Sequence, residues 1–178
     1  MSHRRSNVER SRWAVGLLGL GPGDRLLEVG CGPGVAVAAA AAQGAHVVGV
    51  DRSSVMIGQA HHRNRRAVRH GQVELYAAPV ERLPDTGAPC DAALAVNTIG
   101  FWSDPAAAVT AIGERLRPGG TLAVVSQPRN RGATAEDTRA AGDRFRDLLE
   151  QAGYEDLTFE TLDLDPPAVC VLARRPHS

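Results

Sequence analysis

No lysine occurs in this 178-residue chain: all twenty basic residues are arginine, and twenty aspartates and glutamates balance them to a formal charge of zero. A chain without net charge lacks the long-range field that gathers nucleic acid or an anionic membrane. The missing lysine, set beside the abundance of alanine and glycine, reflects GC-rich coding rather than a chemical choice, and no function follows from it. Cysteine is also sparse. Cys31, Cys90 and Cys170 are scattered and odd in number, which excludes a disulfide framework and a CxxC metal site and fits a reducing cytoplasm. No metal site is expected. Long apolar runs are missing too. Trp13 to Leu20 is short, holds two glycines, and stops at the Gly21-Pro22-Gly23 turn with no small-residue cleavage site after it, so neither a signal peptide nor a membrane span is expected. What remains is 43% hydrophobic and 22% charged, the balance of a soluble globular protein whose length suits one core.

Short apolar strands alternate with helical stretches almost from end to end. Asn7 to Leu18 reads as a leading helix. Strands are expected at Arg25 to Val29, His46 to Val50, Val73 to Ala77, Ala92 to Val96 and Thr121 to Ser126. Between them lie helices from Val35 to Gln43, from Ser53 or Ser54 to about Asn64, and from Asp104-Pro105 to about Leu116. In the last of these Asp104 is the N-cap and Pro105 the first helical residue. A helix from Glu136 to Gln151 precedes two strands, Leu157 to Leu164 and Val169 to Arg174, which flank Asp165-Pro166-Pro167 and so form a hairpin. The pattern is that of an α/β, Rossmann-like doubly wound sheet. It is mostly parallel, with seven strands, and the final hairpin contributes one antiparallel strand. One domain is expected over residues 1–178: an N-terminal helix or lid (1–23), a cofactor-binding half (24–127), and a C-terminal helix and hairpin (128–178).

In such sheets ligands sit at the carboxyl ends of the strands, and the loops there carry the informative residues. After the first strand comes Glu28-Val29-Gly30-Cys31-Gly32-Pro33-Gly34. Three glycines in alternate positions exceed what a tight turn needs and let a ligand approach bare backbone. Asp51 ends the second strand, where a carboxylate can accept hydrogen bonds from both hydroxyls of a ribose. A dinucleotide fingerprint requires G-x-G-x-x-G, but here Val35 takes the third place. Pro33 removes an N–H that a pyrophosphate would use, and Glu28 repels phosphate while suiting a ligand with an ammonium and a sulfonium. These residues favour S-adenosylmethionine over NAD.

Leu26-Leu27-Glu28-Val29-Gly30-Cys31-Gly32-Pro33-Gly34 resembles the first motif of the class I S-adenosylmethionine-dependent methyltransferases. Gly49-Val50-Asp51 followed by Ser53 and Met56 resembles their second motif, and Arg115-Leu116-Arg117-Pro118-Gly119-Gly120 resembles the turn before their fifth strand. The resemblance spans about Asp24 to Arg175, is highly specific for the superfamily and says little of substrate. It implies that Glu28, Gly30, Cys31, Gly32 and Gly34 shape the methionine end of the cofactor site and that Asp51 binds the ribose. It places the Arg52 backbone and Met56 beside the adenine, although Met56 serves core packing equally well. Many members carry an acid after strand three. Here Ala78-Pro79-Val80 stands in its place, so Pro79 and Val80 offer only backbone and apolar contact.

The loop Asn97-Thr98-Ile99-Gly100-Phe101-Trp102 follows strand four, where the family places the transferable methyl. Asn97 is a candidate polar contact to cofactor or substrate and equally a turn former. Trp102 and Trp13 are expected to border one substrate pocket, and Phe101 to pack under the following helix. Asn97 is not followed by Pro-Pro-aromatic, the pattern common among methyltransferases of amide and base nitrogens. Asp165-Pro166-Pro167 mimics that pattern from the hairpin. Cys90 lies at the wrong end of its strand for a nucleophile that attacks a base. The basic stretch Arg63 to Arg69 has no interleaved aromatics and reads as a solvated helix end. No histidine falls in the strand-end loops, so no general base is nominated. Catalysis by proximity alone, an N-terminal His3 folding over the site, and no catalysis at all stay open. The expected partner is a small-molecule methyl acceptor rather than nucleic acid or a membrane, with a homodimer compatible with the shallow lid. Two other classes remain: a catalytically silent S-adenosylmethionine-binding scaffold and an NAD-binding oxidoreductase.

Overall fold

The computed structural model describes residues 3–178, with side chains from residue 5; the His3 imidazole lies outside the described residues. Helix α1 (His3–Leu17) leads into β1 (Arg25–Val29), α2 (Val35–Ala42), β2 (His46–Asp51), α3 (Ser54–Arg63), the short α4 (Arg65–Arg69) and β3 (Val73–Ala77). Then follow β4 (Cys90–Val96), α5 (Pro105–Arg115), β5 (Leu116–Ser126), α6 (Ala135–Gln151), β6 (Glu155–Leu162) and β7 (Ala168–Arg174). The caps read from the sequence are in place. The Ser53 hydroxyl accepts from Met56 N–H, and the Asp104 carboxylate from Ala107 N–H. The basic stretch after Asn64 is helical as α4, a continuation that its arginines favour.

All seven strands share one sheet in the order β3-β2-β1-β4-β5-β7-β6. Strands β1 to β5 pair in parallel, and β7 runs antiparallel to both β5 and β6. The architecture is therefore the expected α/β, Rossmann-like sheet, with β7 as the antiparallel strand. The central strands are near-continuous apolar runs because helices cover both faces. On one face Leu27, Val29, Val48 and Val124 pack with Ile112, Phe145 and Leu149 from α5 and α6. On the other, Leu26, Val47, Leu94 and Val125 pack with Val15, Val37 and Ala40 from α1 and α2. Trp13 is half-buried against this second cluster.

The chain steps outward from β1 to β3 and then returns to β4 on the other side of β1. The crossovers on the two sides diverge there, leaving a crevice above the carboxyl ends of β1 and β4. Among the described residues, no helix is long and apolar enough to cross a membrane, and all three cysteines are free and buried.

Candidate active site

A cleft of about 530 Å³ occupies that crevice. Its floor is the end of β1 and the glycine loop, through Val29, Gly30 and Gly32. One wall comes from the end of β2 and the start of α3, through Val50, Asp51, Arg52 and Met56, extended by Pro79 and Val80 after β3. The opposite wall holds Asn97, Thr98 and Trp102 after β4, and Arg129 after β5.

The glycine loop is held by its own hydrogen bonds. Gly30 and Cys31 N–H both donate to Val50 O, at 2.7 and 3.0 Å, and Gly34 N–H donates to Cys31 O at 3.0 Å. Gly32 N–H donates to Asp51 Oδ2 at 2.9 Å, and Pro33 has no N–H. Every backbone donor from Gly30 to Gly34 is thus absent or already engaged. A pyrophosphate bound at a helix N-terminus needs several free N–H groups, and residues 30–34 of the loop offer none. Gly30 has φ 73°, and a Cβ built on it would strike the Thr98 hydroxyl and come within 2.6 Å of Thr98 Cβ. The glycine is required because Thr98 crosses directly above it.

Asp51 is the hub of the wall after β2. Besides Gly32 N–H, its carboxylate accepts Ser53 N–H at 2.8 Å on Oδ1. Each oxygen engages one protein donor and keeps capacity for another, so the group is oriented but not used up. Arg52 lies over the Phe101 ring at 5.4 Å from its centroid, a cation–π contact that joins the wall after β2 to the wall after β4. Phe101 is 67% exposed and lines the cleft. It does not pack under α5 as expected, because the 3-10 turn Ile99–Phe101 directs Ile99 and Trp102 to the core and turns Phe101 outward. The Ser103 hydroxyl donates to Glu81 at 2.7 Å and holds that carboxyl below its usual range.

Asn97 stands at the end of β4 with φ 51°, in the left-handed region. Its N–H donates to Val125 O at 2.9 Å, and its Oδ1 accepts Gln127 N–H at 2.7 Å. Its Nδ2 is buried and unpaired. The backbone of Asn97 thus makes the turn, while its amide keeps one buried donor without a partner.

Four expected site residues stand outside the cleft lining. Trp13 packs into the core, because α1 runs along α2 and β4 rather than across the cleft. The two indoles therefore do not border one pocket, and only Trp102 lines the cleft. Gly34 is the N-cap of α2 with φ 80°, and a Cβ there would fall 2.9 Å from Ala60 Cβ; its smallness serves the packing of α2 on α3. Cys31 turns into the core, where burial and then the acidity of Glu28 raise its thiol's pKa. Glu28 lies on the same strand face as Leu26 and is 3% exposed beneath the loop, with Oε2 unpaired. Burial first, and the nearby Asp51 charge second, push it up to about 8. It is thus a protonated carboxyl near neutrality, not a standing carboxylate facing the ligand. Among the described residues, no histidine lines the cleft. Thr98 belongs to a loop singled out in the sequence, but neither it nor Arg129 carried a signal of its own.

The sequence profile of the family described as "Methyltransferase domain" matches residues 27–124, from β1 through β5. An uncharacterized methyltransferase of Bacillus subtilis, YdaC, is 30% identical over 173 residues, covering 96% of this chain and 93% of that protein. The O-methyltransferase rstn1 of Aspergillus nomiae is 31% identical over 150 residues, covering 77% of this chain and 67% of that one. Among solved structures, the (4+2)-cyclase SpnF superposes with a TM-score of 0.81 at 21% identity, covering 100% of this chain and 85% of that chain, a likeness of fold. The sheet order and the cleft define a Rossmann-like nucleoside-binding protein. Within that class, the chain belongs to the class I S-adenosylmethionine-dependent methyltransferases, with S-adenosylmethionine as its cofactor.

Proposed function

We propose that this cleft carries a methyl group from S-adenosylmethionine to a small-molecule acceptor within one domain spanning residues 1–178. The observation that supports it most is the pairing of Asp51 with the glycine loop: a carboxylate oriented by Gly32 and Ser53 N–H groups beside a loop whose own N–H groups, from Gly30 to Gly34, are engaged or absent. The residues fit the cofactor. Asp51 accepts the ribose hydroxyls, and Arg52, Met56, Pro79 and Val80 flank the adenine. Gly30 and Gly32 give backbone contact, and Asn97 supplies its unpaired Nδ2–H. The cofactor supplies a methyl on a positively charged sulfur, already activated toward a nucleophile. The chain's task is to hold the acceptor in line and exclude water, and among the described residues no imidazole lines the cleft to act as a base. The acceptor side is small and partly apolar, formed by Trp102, Phe101 and Thr98. The free buried cysteines suit a cytoplasmic setting. The reading includes a homodimer, to be checked by light scattering.

The cofactor assignment predicts a thermal shift. S-adenosylhomocysteine at a hundredfold excess over its Kd should stabilise the fold by about 2.7 kcal/mol, and NAD should not. A shift with NAD alone would sink the reading. Labelled S-adenosylmethionine offered with a panel of small acceptors then separates an enzyme from a silent binder.

Trp102 predicts the acceptor side. It is half-buried, touching the core on one side and the cleft on the other. Trp102→Ala should therefore cost stability by only about 1–2 kcal/mol, well under the cost at a fully buried site. S-adenosylhomocysteine affinity should hold and acceptor turnover fall sharply. Equal loss of cofactor affinity in calorimetry would assign Trp102 to the cofactor instead.

A further inference from the structure

The zero net charge of the chain hides a separation of charge along the sheet. No acid occurs from Ser53 to Gln72. In that stretch Arg63 ends α3, Arg65, Arg66 and Arg69 lie on α4, and all four are exposed. Among the described residues none of the four takes part in an ion pair, and residues 1–4 contain no acid. Glu74, the next acid along, already accepts from the Tyr76 hydroxyl. The opposite holds over residues 135–165, which form α6, β6 and the start of the turn after it. Ten acids stand there against three arginines, and one of those arginines, Arg146, pairs with Asp143 and Asp147. Glu150, Glu155, Asp156, Glu160 and Asp163 are all exposed.

These two regions cannot neutralise each other within one chain. Helices α3 and α4 lead into β3 at one end of the sheet, and α6 leads into β6 at the other. Six strand spacings, about 29 Å, lie between them, against a screening length of about 8 Å at physiological salt. Each region also carries an exposed apolar side chain: Val55 is 65% exposed on α3, and Phe159 is 44% exposed on β6. Val55 borders a shallow groove together with Gly58, Arg63 and Arg65. A Cβ built on Gly58 meets no neighbouring segment within 4 Å, so the groove is open to an incoming side chain there. The groove shares no lining residue with the cleft. Strand β6 ends the sheet, and charges on an end strand discourage pairing with another strand edge. A helical face of opposite sign fits it instead.

We infer that the α3–α4 face of one copy of this chain receives the α6–β6 edge of a second copy, head to tail, with Phe159 of one chain seated beside Val55 of the other. The inference deepens the proposed self-association by naming its two faces, and it does not depend on the chemistry of the cleft. Because the faces are unlike, each contact leaves one of each kind free, and association continues past two chains unless a ring closes. Exposed ion pairs are individually weak, so the contact is reversible and sensitive to salt.

Sedimentation velocity of the full chain over a range of salt concentrations tests this. The association constant should fall at least tenfold between about 0.05 and about 0.3 M sodium chloride. Arg65→Glu with Arg69→Glu reverses the helical face, and Glu155→Arg with Glu160→Arg reverses the edge; all four residues are exposed. Each double variant should stay monomeric at low salt, where the parent associates. Circular dichroism, and S-adenosylhomocysteine affinity within about twofold of the parent, serve as controls for folding. An equimolar mixture of the two variants should associate again, since one keeps its acidic edge and the other its basic face. Should a double variant lose its fold, the milder Arg65→Gln and Glu160→Gln must each still weaken association about threefold. Association that survives in both double variants belongs to another face; it overturns the inference and leaves the homodimer reading standing. A mixture of folded variants that stays monomeric overturns it as well. A parent that is monomeric even at low salt overturns both readings. If that monomer binds polyglutamate, and Arg65→Glu with Arg69→Glu abolishes the binding, the basic face takes a foreign acidic chain instead of a second copy.

Discussion

Glu28→Gln should make the protein markedly more stable than its parent in mild alkali while changing little in acid. The Glu28 carboxyl is buried and pushed up to about 8, by burial first and by Asp51 second. In the unfolded chain it titrates near the ordinary value of about 4.3. Between those two values the native state holds a proton that the unfolded state has released. Stability from this group is therefore complete below about pH 4 and falls as pH rises through the window, levelling off above the folded value. At about 1.36 kcal/mol per unit, the loss from pH 5 to pH 8.5 is about 3–5 kcal/mol. Glutamine has the same shape and no proton to lose, so the variant lacks this slope. Denaturant unfolding of both proteins at several pH values isolates it, since every other titrating group cancels in the difference. A stability difference that does not change with pH would show that Glu28 is ionised in the folded state. A cationic ligand seated above the loop favours the ionised form. Cofactor binding at pH 7 should then release protons, which appears as a dependence of binding heat on the buffer.

The fold was legible because its signals are local and repeated. Arg25–Val29 and Val73–Ala77 were bounded correctly from apolar runs between glycine turns, and the caps at Ser53 and Asp104 from side-chain chemistry alone. The motif loops were legible for the same reason, since Gly30, Gly32 and Asp51 occupy fixed places at strand ends. Orientation was not legible. Trp13 was assigned to the cleft because its helix precedes β1, but the helix's direction is set by packing on α2 and β4, which no local pattern records. Glu28 looked like an exposed acid beside the loop, yet the period of two in β1 puts it on the Leu26 face, under the loop. Gly34 looked like part of the ligand cradle, but its Cβ is excluded by Ala60 from a helix that begins twenty residues later in the chain. Arg10 and Arg129 are 119 positions apart and meet only through Asn7, so their convergence exists only in three dimensions.

Asp51→Ala should weaken S-adenosylhomocysteine binding by about 3–4 kcal/mol, at least a hundredfold in Kd. Two losses combine. The first is the pair of charge-assisted hydrogen bonds that Asp51, in the proposed site, accepts from the ribose, the stronger kind because the acceptor is ionised. The second is the hold on the cleft itself, for the same carboxylate ties Gly32 N–H to Ser53 N–H and so links the glycine loop to the first turn of α3. Without it Gly32 N–H loses its acceptor and the loop can drift, although Gly30 and Cys31 stay tied to Val50. The fold should survive, because Asp51 is half-exposed at a strand end and the core clusters do not include it. Asp51→Asn separates the two losses. Its amide oxygen can still accept from one backbone N–H, but the amide nitrogen cannot accept from the other, and the charge is gone. Its affinity should therefore fall between those of the parent and the alanine variant. Calorimetric titration of all three proteins, with circular dichroism as the control for folding, gives the comparison. If the alanine variant is folded and binds S-adenosylhomocysteine as the parent does, Asp51 only ties the loop to the helix, and the ribose is held elsewhere in the cleft.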